Sequence, residues 1–283
     1  MKLSQACVDY ILRKQYETKY AASRYSVWIN RFMQKIGEDR LVEKITHAEI
    51  TDFMLWVKEN WAPKTLEYCA AILQNFSYKN NLNWNIKVRR QRANSYTPVT
   101  EEDHQKILTS LPTNEFRSLQ KNIVCRILHE SGCRISELCA IDLTDLNVQQ
   151  NWAEVQTAKT TNENRIFWSH ETHDLLYKKY MPLRVQIPRD TQALFLGIYG
   201  TRDEYTKRIH RRTIERWYGA FSLLLGHKIV PHGERHGKAH RILDLGGTVA
   251  DVQLVLRHTN PLSSHKYLNY GGKELENRVG RFL

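Results

Sequence analysis

The sequence predicts a mainly α-helical protein of two domains, the second of which contains a small antiparallel β-sheet. Over roughly the first third of the chain, apolar side chains recur at the 3.6-residue spacing of helices. A basic segment interrupts that spacing, which then returns. In the second part, two short runs alternate apolar and polar residues around a polar turn, as the strands of a hairpin do.

The N-terminal domain, residues 1–92, is predicted to be a bundle of about four helices. The apolar series within residues 25–36 marks one helical face. Thr46 followed by Glu49 is a capping box that begins the next helix, and Pro63 suits the first turn of another.

Residues 93–98 are predicted to be a linker, because the helical periodicity stops there and Pro98 restricts the backbone. The charge concentrated just upstream could be ordinary solvated surface. We expect it instead to contact a DNA backbone, where basic side chains displace counterions. The predicted contacts are Lys87, Arg89, Arg90 and Arg92.

The second domain, residues 99–283, is predicted to begin with a helix capped by Thr100 and Asp103. Strands are expected within 152–157 and 165–168, with Lys159 in the turn between them. Further helices are predicted at 116–131, 170–180, 210–225, 231–245 and 248–257.

The composition favours a reduced, cytosolic protein with a polyanionic partner. The chain has 283 residues, 42 Lys and Arg against 30 Asp and Glu, and a net charge of +12. A hydrophobic content of 41% argues against disorder. The five cysteines show no CxxC pair, and neither a secretory leader nor a membrane-length apolar run is evident. We expect core positions for these thiols and no membrane association.

Five side chains indicate the chemistry of the protein: four lie near the C-terminus, and one arginine lies far upstream. His232 and Arg235 are three apart and share a helical face. His258 follows, and Tyr267 lies nine residues after it; Arg134 is about a hundred residues upstream. Two guanidinium groups can neutralise phosphoryl oxygens, imidazoles can move protons, and a phenol can act as nucleophile. Such a set can attack a DNA phosphodiester without a metal.

These motifs resemble those of the tyrosine recombinase, or phage integrase, family. Ser131-Gly-Cys-Arg134-Ile-Ser-Glu137-Leu is similar to the family's T-G-x-R-x-S-E-L box, and the later boxes to H-x-L-R-H and L-G-H with a tyrosine nine residues on. Glu234 stands for the usual leucine and Arg257 for the usual glycine. Neither change affects a phosphate ligand, although Arg257 could alter DNA contacts or helix termination.

The resemblance implies that Tyr267 attacks the scissile phosphate, forms a 3′-phosphotyrosyl link and releases a 5′-hydroxyl. Arg134 and Arg235 would neutralise the non-bridging oxygens. Rejoining reverses the reaction, and the protein–DNA ester keeps the bond energy. No cofactor, metal or ATP is therefore expected.

The resemblance also assigns the proton chemistry. His232 is the expected proton acceptor, His258 a hydrogen-bond donor to phosphate, and Lys159 the acid for the leaving oxygen. Glu137 would orient the active-site groups, and His236 would support the site. A simple surface ion pair with Arg134 is the plainer interpretation of Glu137.

Two alternatives concern the same residues. Tyr270 could be the nucleophile, but the nine-residue interval from His258 favours Tyr267. His236, His240 and His258 could hold zinc, but Glu234 is misplaced for a zincin motif and Arg235 would repel a cation.

The helices of residues 1–92 look like the core DNA-binding domain of the resembled family. Members of that family clamp duplex DNA between two domains and assemble four protomers on two sites, exchanging strands through a Holliday junction. The tail, residues 271–283, would dock into a neighbouring protomer or pack on its own domain, and accessory DNA-bending proteins could take part. At the start of the helix near 210, basic residues are predicted to contact DNA or else to be solvated; they are Lys207, Arg208, Arg211 and Arg212.

The expected role is resolution of dimers or cointegrates, or integration and excision of a mobile element. A type IB topoisomerase uses a similar residue set to relax DNA as a monomer. A catalytically silent DNA-binding protein is a third possibility, and it predicts no covalent adduct.

Overall fold

The computed structural model describes residues 1–17, 19–89, 96–155, 164–187, 192–198, 205–258 and 262–265. The chain divides into two compact units, the first ending at Asn94 and the second beginning at Ser95. Each unit has its own buried apolar core. The mainly helical fold class predicted from the sequence is confirmed.

The described part of the first unit is helical. Its elements are α1 (Leu3–Glu17), α2 (Lys19–Ile36), α3 (His47–Asn60) and α4 (Pro63–Lys79), with a short 3₁₀ turn at Val42–Lys44.

Aromatic rings from α2, α3 and α4 meet in the core of this unit. Phe32 packs edge-on against Phe53, with ring centroids 5.1 Å apart. The Trp84 ring contacts the rings of Phe32 and Phe76. Offset and edge-on aromatic pairs add to the free energy of apolar burial. The periodic apolar positions of the sequence are thus the buried face of the bundle.

The second unit contains helices and short strands in alternation. Its elements are α5 (Glu101–Thr109), α6 (Phe116–Ser131), α7 (Ile135–Ala140), β1 (Trp152–Glu154), β2 (Arg165–Phe167), α8 (His170–Asp174), a π-helical segment (Leu175–Tyr180), α9 (Met181–Gln186), β3 (Leu196–Ile198), β4 (Tyr205–Arg208), α10 (Arg211–Leu225), α11 (Pro231–Asp244), α12 (Val249–Leu256) and α13 (Leu262–His265).

The predicted capping boxes begin helices as expected. Thr100 Oγ1 accepts from the Asp103 N–H at 3.1 Å, and the Asp103 carboxylate accepts from the Thr100 N–H at 3.2 Å. The same reciprocal pair joins Thr46 to Glu49 and begins α3. These bonds satisfy backbone N–H groups that the first helical turn leaves without acceptors.

The described strands form two antiparallel pairs. β1 and β2 pair with Ala153 opposite Ile166, as the hairpin pattern predicted. β3 and β4 form a second pair, which the sequence analysis missed. Lys207 and Arg208 therefore lie on β4 and not in the helix start, which is at Arg211.

Two glycines in α11 allow the chain before α5 to lie directly against that helix. A Cβ at Gly233 would be 2.6 Å from the Thr97 carbonyl oxygen, and one at Gly237 would be 2.3 Å from that of Val99. The Val99 N–H donates to the Gly233 carbonyl at 3.1 Å. This close approach fixes the helix that carries His232 and Arg235.

Burial makes the cysteine thiols harder to ionise. It raises the pKa of the Cys7 and Cys69 thiols to about 12 and that of Cys133 to about 11. All five cysteines are free, and four are buried. Among the described residues, no helix has both the length and the apolar character that crossing a bilayer requires.

Candidate active site

Arg134 is anchored by the helix that it begins. It is the N-cap residue of α7, and its backbone N–H donates to Glu137 Oε2 at 2.9 Å. Its Nη1 donates to Glu137 Oε1 at 2.6 Å. The Glu137 side chain is only 4% exposed, whereas that of Arg134 is 40% exposed. A fixed, buried carboxylate therefore holds a guanidinium that remains accessible from solvent.

Glu137 binds a second guanidinium, that of Arg257. Arg257 Nη2 lies 2.8 Å from Glu137 Oε2, and both side chains are largely buried. Burial raises the pKa of the Glu137 carboxyl. The charge of Arg257 and the hydrogen bonds from Arg134 and Arg257 outweigh burial, so the pKa lies below its usual value. The carboxylate is thus ionised and shared between two arginines.

Arg235 joins the chain segments that carry the other predicted groups. Its Nη1 donates to the Gly132 carbonyl at 2.8 Å, and its Nη2 donates to the Leu256 carbonyl. Gly132 is two residues before Arg134, and Leu256 is two residues before His258. Arg235 is only 2% exposed, and its hydrogen bonds connect the C-terminal ends of α6 and α12 inside the protein.

Gly132 is required where α6 ends. Its φ is +60°, in the left-handed region, and a Cβ there would lie 2.6 Å from Leu256 Cδ2. The glycine therefore both terminates α6 and lets α12 approach it.

His232 and His236 project from successive turns of α11, and their rings lie edge-on to each other and to Tyr96. The centroid of the Tyr96 ring lies 4.8 Å from that of His232 and 5.7 Å from that of His236. The two imidazoles are 5.0 Å apart. His236 is buried and His232 partly buried, so the two predicted groups share one aromatic cluster.

His258 is placed by the turn that ends α12. Arg257 has φ +52° and donates its N–H to Leu254 O, while the His258 N–H donates to Gln253 O. This pair of bonds is a Schellman motif. The His258 Nδ1 lies 2.6 Å from Ser264 Oγ on α13, and both residues are buried. Ser264 fixes the ring in a way that the sequence analysis did not detect.

Glu234 is completely buried at a position where the resembled motif has leucine. Its Oε2 lies 2.8 Å from His129 Nδ1, and its Oε1 accepts from the Tyr218 hydroxyl at 2.8 Å. His129 Nε2 is also 3.0 Å from Glu101 Oε2. Hydrogen bonds thus satisfy a buried carboxyl group on α11, the helix that also carries Arg235.

One cluster of described residues has the composition of a metal site. His104, His129 and Glu234 each present a ligand atom, all within 4.8 Å of one another. However, both ring nitrogens of His129 already bond carboxylates, and the Arg241 guanidinium donates to the His129 carbonyl at 2.6 Å. We therefore interpret the cluster as a hydrogen-bonded part of the core.

The predicted DNA contacts divide into exposed and internally bound residues. Arg208 is bound internally: it donates to the carbonyls that end α7 and forms a 2.5 Å ion pair with Asp142. Arg211 pairs with Glu215 at 3.2 Å on the surface. The exposed predicted contacts are Lys87, Arg89, Lys207, Arg211 and Arg212.

Several predicted residues lie outside the described part of the chain. They are Lys159, Tyr267, the alternative nucleophile Tyr270, Arg90, Arg92 and the tail at 271–283.

A model of the phage integrase family matches residues 98–271, which is more than half of the chain. The chain belongs to the phage integrase family. This match includes Arg134, Arg235, His258 and Tyr267, the residues on which the resemblance was based.

Similar proteins agree with that membership. Tyrosine recombinase XerC of Corynebacterium glutamicum is 26% identical over 249 residues, covering 83% of this chain and 78% of the relative. A tyrosine recombinase of Thermosipho africanus is 22% identical and covers 96% of both chains. Recognition of the chain as a tyrosine recombinase is confirmed.

The fold is shared with a solved transposon integrase. The structure of the Tn1549 integrase in complex with circular intermediate DNA covers all of both chains, with a TM-score of 0.75 and 16% identity. At that identity the likeness establishes the fold alone, and the integrase fold is confirmed.

Proposed function

We propose that this integrase-family enzyme cleaves and rejoins duplex DNA through a covalent bond between Tyr267 and the 3′-phosphate of the broken strand. One observation carries the proposal: Arg235 binds the carbonyls of Gly132 and Leu256, which draws the segments of Arg134 and His258 to one place. A site with two guanidinium groups and an imidazole suits a phosphodiester whose charge increases in the transition state.

The reaction balances without an external reagent. The Tyr267 oxygen forms a bond to phosphorus, and the bond from phosphorus to the 5′-oxygen breaks. His232 accepts the phenol proton and Lys159 donates a proton to the 5′-oxygen. In rejoining, the 5′-hydroxyl attacks the phosphotyrosine and Tyr267 leaves. A free phenol has a pKa of about 10, so the guanidinium groups and His232 are needed near neutrality.

Arg235 would reach the phosphate only after a local change. Backbone carbonyls now accept from its guanidinium, and it is almost fully buried. A charged phosphate oxygen is a stronger acceptor than a neutral carbonyl and would compete for the same N–H groups.

The proposed partner is a DNA site with a specific sequence. Exposed basic residues on both units would neutralise its backbone: Lys87 and Arg89 on the first, and Lys207, Arg211 and Arg212 on the second. We propose a tetramer on two sites, held by the tail at 271–283, with strand exchange through a Holliday junction and accessory DNA-bending proteins. The enzyme would act in the cytoplasm, in dimer or cointegrate resolution or in the movement of a mobile element.

The test uses a nicked suicide substrate, from which the cleaved end diffuses away. Wild-type enzyme should accumulate a covalent adduct in EDTA without ATP, whereas Tyr267→Phe should bind the DNA equally and form none. The absence of an adduct with wild type would favour a silent DNA-binding protein. Relaxed circles without two-site products would indicate a topoisomerase.

A further inference from the structure

Arg257 has a backbone conformation that disfavours arginine. Its φ of +52° and ψ of 50° place it in the left-handed region at the end of α12. Glycine adopts this conformation without a steric penalty, whereas a side chain with a Cβ does so at a cost. As a helix terminator alone, arginine is therefore a poorer choice than glycine here.

The contacts of its side chain are directed into the protein. Nη2 lies 2.8 Å from Glu137 Oε2, and Nη1 donates to the carbonyls of Val255 at 3.1 Å and Arg165 at 3.4 Å. The side chain is only 11% exposed. Arg257 thus joins the end of α12 to α7 and β2, and its guanidinium faces the protein interior.

Glu137 connects Arg257 to Arg134, because its carboxylate accepts hydrogen bonds from both residues. One oxygen of the carboxylate accepts from Arg134 Nη1 at 2.6 Å, and the other accepts from both Arg257 and the Arg134 backbone N–H. The three side chains together carry one net positive charge. Without Arg257, Arg134 and Glu137 would form a neutral pair, and the guanidinium would attract a phosphate less.

We propose that Arg257 is a positioning residue for cleavage: it holds and neutralises Glu137, so that Arg134 keeps its orientation and its charge for the phosphate. This inference rests on the proposed function, because it assigns Arg134 to the scissile phosphate.

Two substitutions separate positioning from helix termination, because the two roles rank them in opposite orders. Arg257→Gly relieves the backbone but removes the charge, while Arg257→Lys keeps a charge but retains the strained φ. If Arg257 only terminates α12, cleavage and thermal stability should both be highest for Gly and about equal in wild type and Lys, which share the strained φ. Positioning predicts that cleavage falls from wild type to Lys to Gly.

The measurement is the single-turnover rate of adduct formation on the suicide substrate, with DNA affinity measured in parallel. We expect Arg257→Gly to bind DNA within about twofold of wild type and to cleave about tenfold more slowly, less than the 10²-fold or more expected for loss of Arg134 itself. In a Glu137→Gln background, Arg257→Gly should lower the cleavage rate little further. Asn81→Gly, which relieves a φ of +55° in the first unit, is the matched backbone control.

A wild-type rate for Arg257→Gly, or an undiminished effect in the Glu137→Gln background, would overturn the inference and leave the proposed function standing. The proposed function fails separately, if wild type forms no adduct or if Tyr267→Phe still forms one.

Discussion

Glu234 shows how a single buried carboxyl group can be accommodated next to a proposed catalytic residue. It directly precedes Arg235, has no exposed surface, and is hydrogen-bonded to His129 and Tyr218. A leucine would suit the apolar surroundings, but only if the partners were also apolar. The three residues therefore form a unit whose members stabilise the fold together.

Substitution of Glu234 by leucine alone should destabilise the protein. The change removes the Glu234 oxygens that bond His129 Nδ1 and the buried Tyr218 hydroxyl, which costs about 1–3 kcal/mol in the free energy of unfolding. Combining it with His129→Leu and Tyr218→Phe should recover much of that loss, because a fully apolar replacement leaves no polar group unsatisfied. Urea unfolding measures both. Equal stability of wild type and Glu234→Leu would contradict this expectation.

His104 should make the fold sensitive to acid. Burial, with the neighbouring His129 second, lowers the pKa of His104 from 6.5 to about 3. Between these values the unfolded chain binds a proton that the folded chain does not. The stability present above pH 6.5 is therefore lost as the pH falls toward 3, by about 2 kcal/mol at pH 5.

His104→Phe should reduce that loss, because it removes the titrating group while keeping a ring to stack on His129. Urea unfolding of both proteins at about pH 7.5 and about pH 5 gives the comparison. The prediction fails if the two proteins lose the same free energy between the two pH values.

At the scale of elements, the contact between α11 and the segment before α5 depends on the absence of side chains. Gly237→Ala would put a Cβ 2.3 Å from the Val99 carbonyl oxygen, so the segment must move away from the helix. We expect a loss of about 1–3 kcal/mol in unfolding free energy, although alanine favours helices over glycine.

Gly219→Ala is the matched control for that prediction. Gly219 lies within α10, and a Cβ there would meet nothing within 4 Å. Its replacement should stabilise the protein by up to about 1 kcal/mol. Chemical denaturation measures the free energy of unfolding of both variants. A stabilising Gly237→Ala would show that the segment is not held against α11.

Local signals account for what the sequence predicted well at this scale. Helix periodicity and the capping boxes at Thr46 and Thr100 depend on residues three or four apart, and the structure places helices there. The pairing of β3 with β4 depends on a partner strand and on burial, and its strands of three and four residues carry too little pattern to reveal it.

The same distinction applies to the candidate site. The Arg134–Glu137 pair is local and could be predicted, whereas His129 meets Glu234 across 105 positions and Arg257 meets Glu137 across 120. From the sequence, Arg257 could alter DNA contacts or helix termination. The structure shows that it does end α12, but its side chain is directed inward.

At the scale of the whole molecule, the chain combines two units with separate cores and exposed basic residues on each. The second unit brings the segments of Arg134, Arg235 and His258 together through backbone contacts made by Arg235 itself. Such an arrangement can stabilise charge on a phosphate, but covalent capture of a broken strand requires a nucleophile as well. We assign that role to Tyr267.

The most direct test is to identify the amino acid that carries the DNA. The adduct trapped on the suicide substrate is digested with protease and nuclease, and the linked peptide is sequenced by mass spectrometry. The account predicts a nucleotide attached to Tyr267, formed equally well in the presence of EDTA. Attachment to Tyr270 or to any other side chain, or an adduct that forms only when a divalent cation is added, would contradict it.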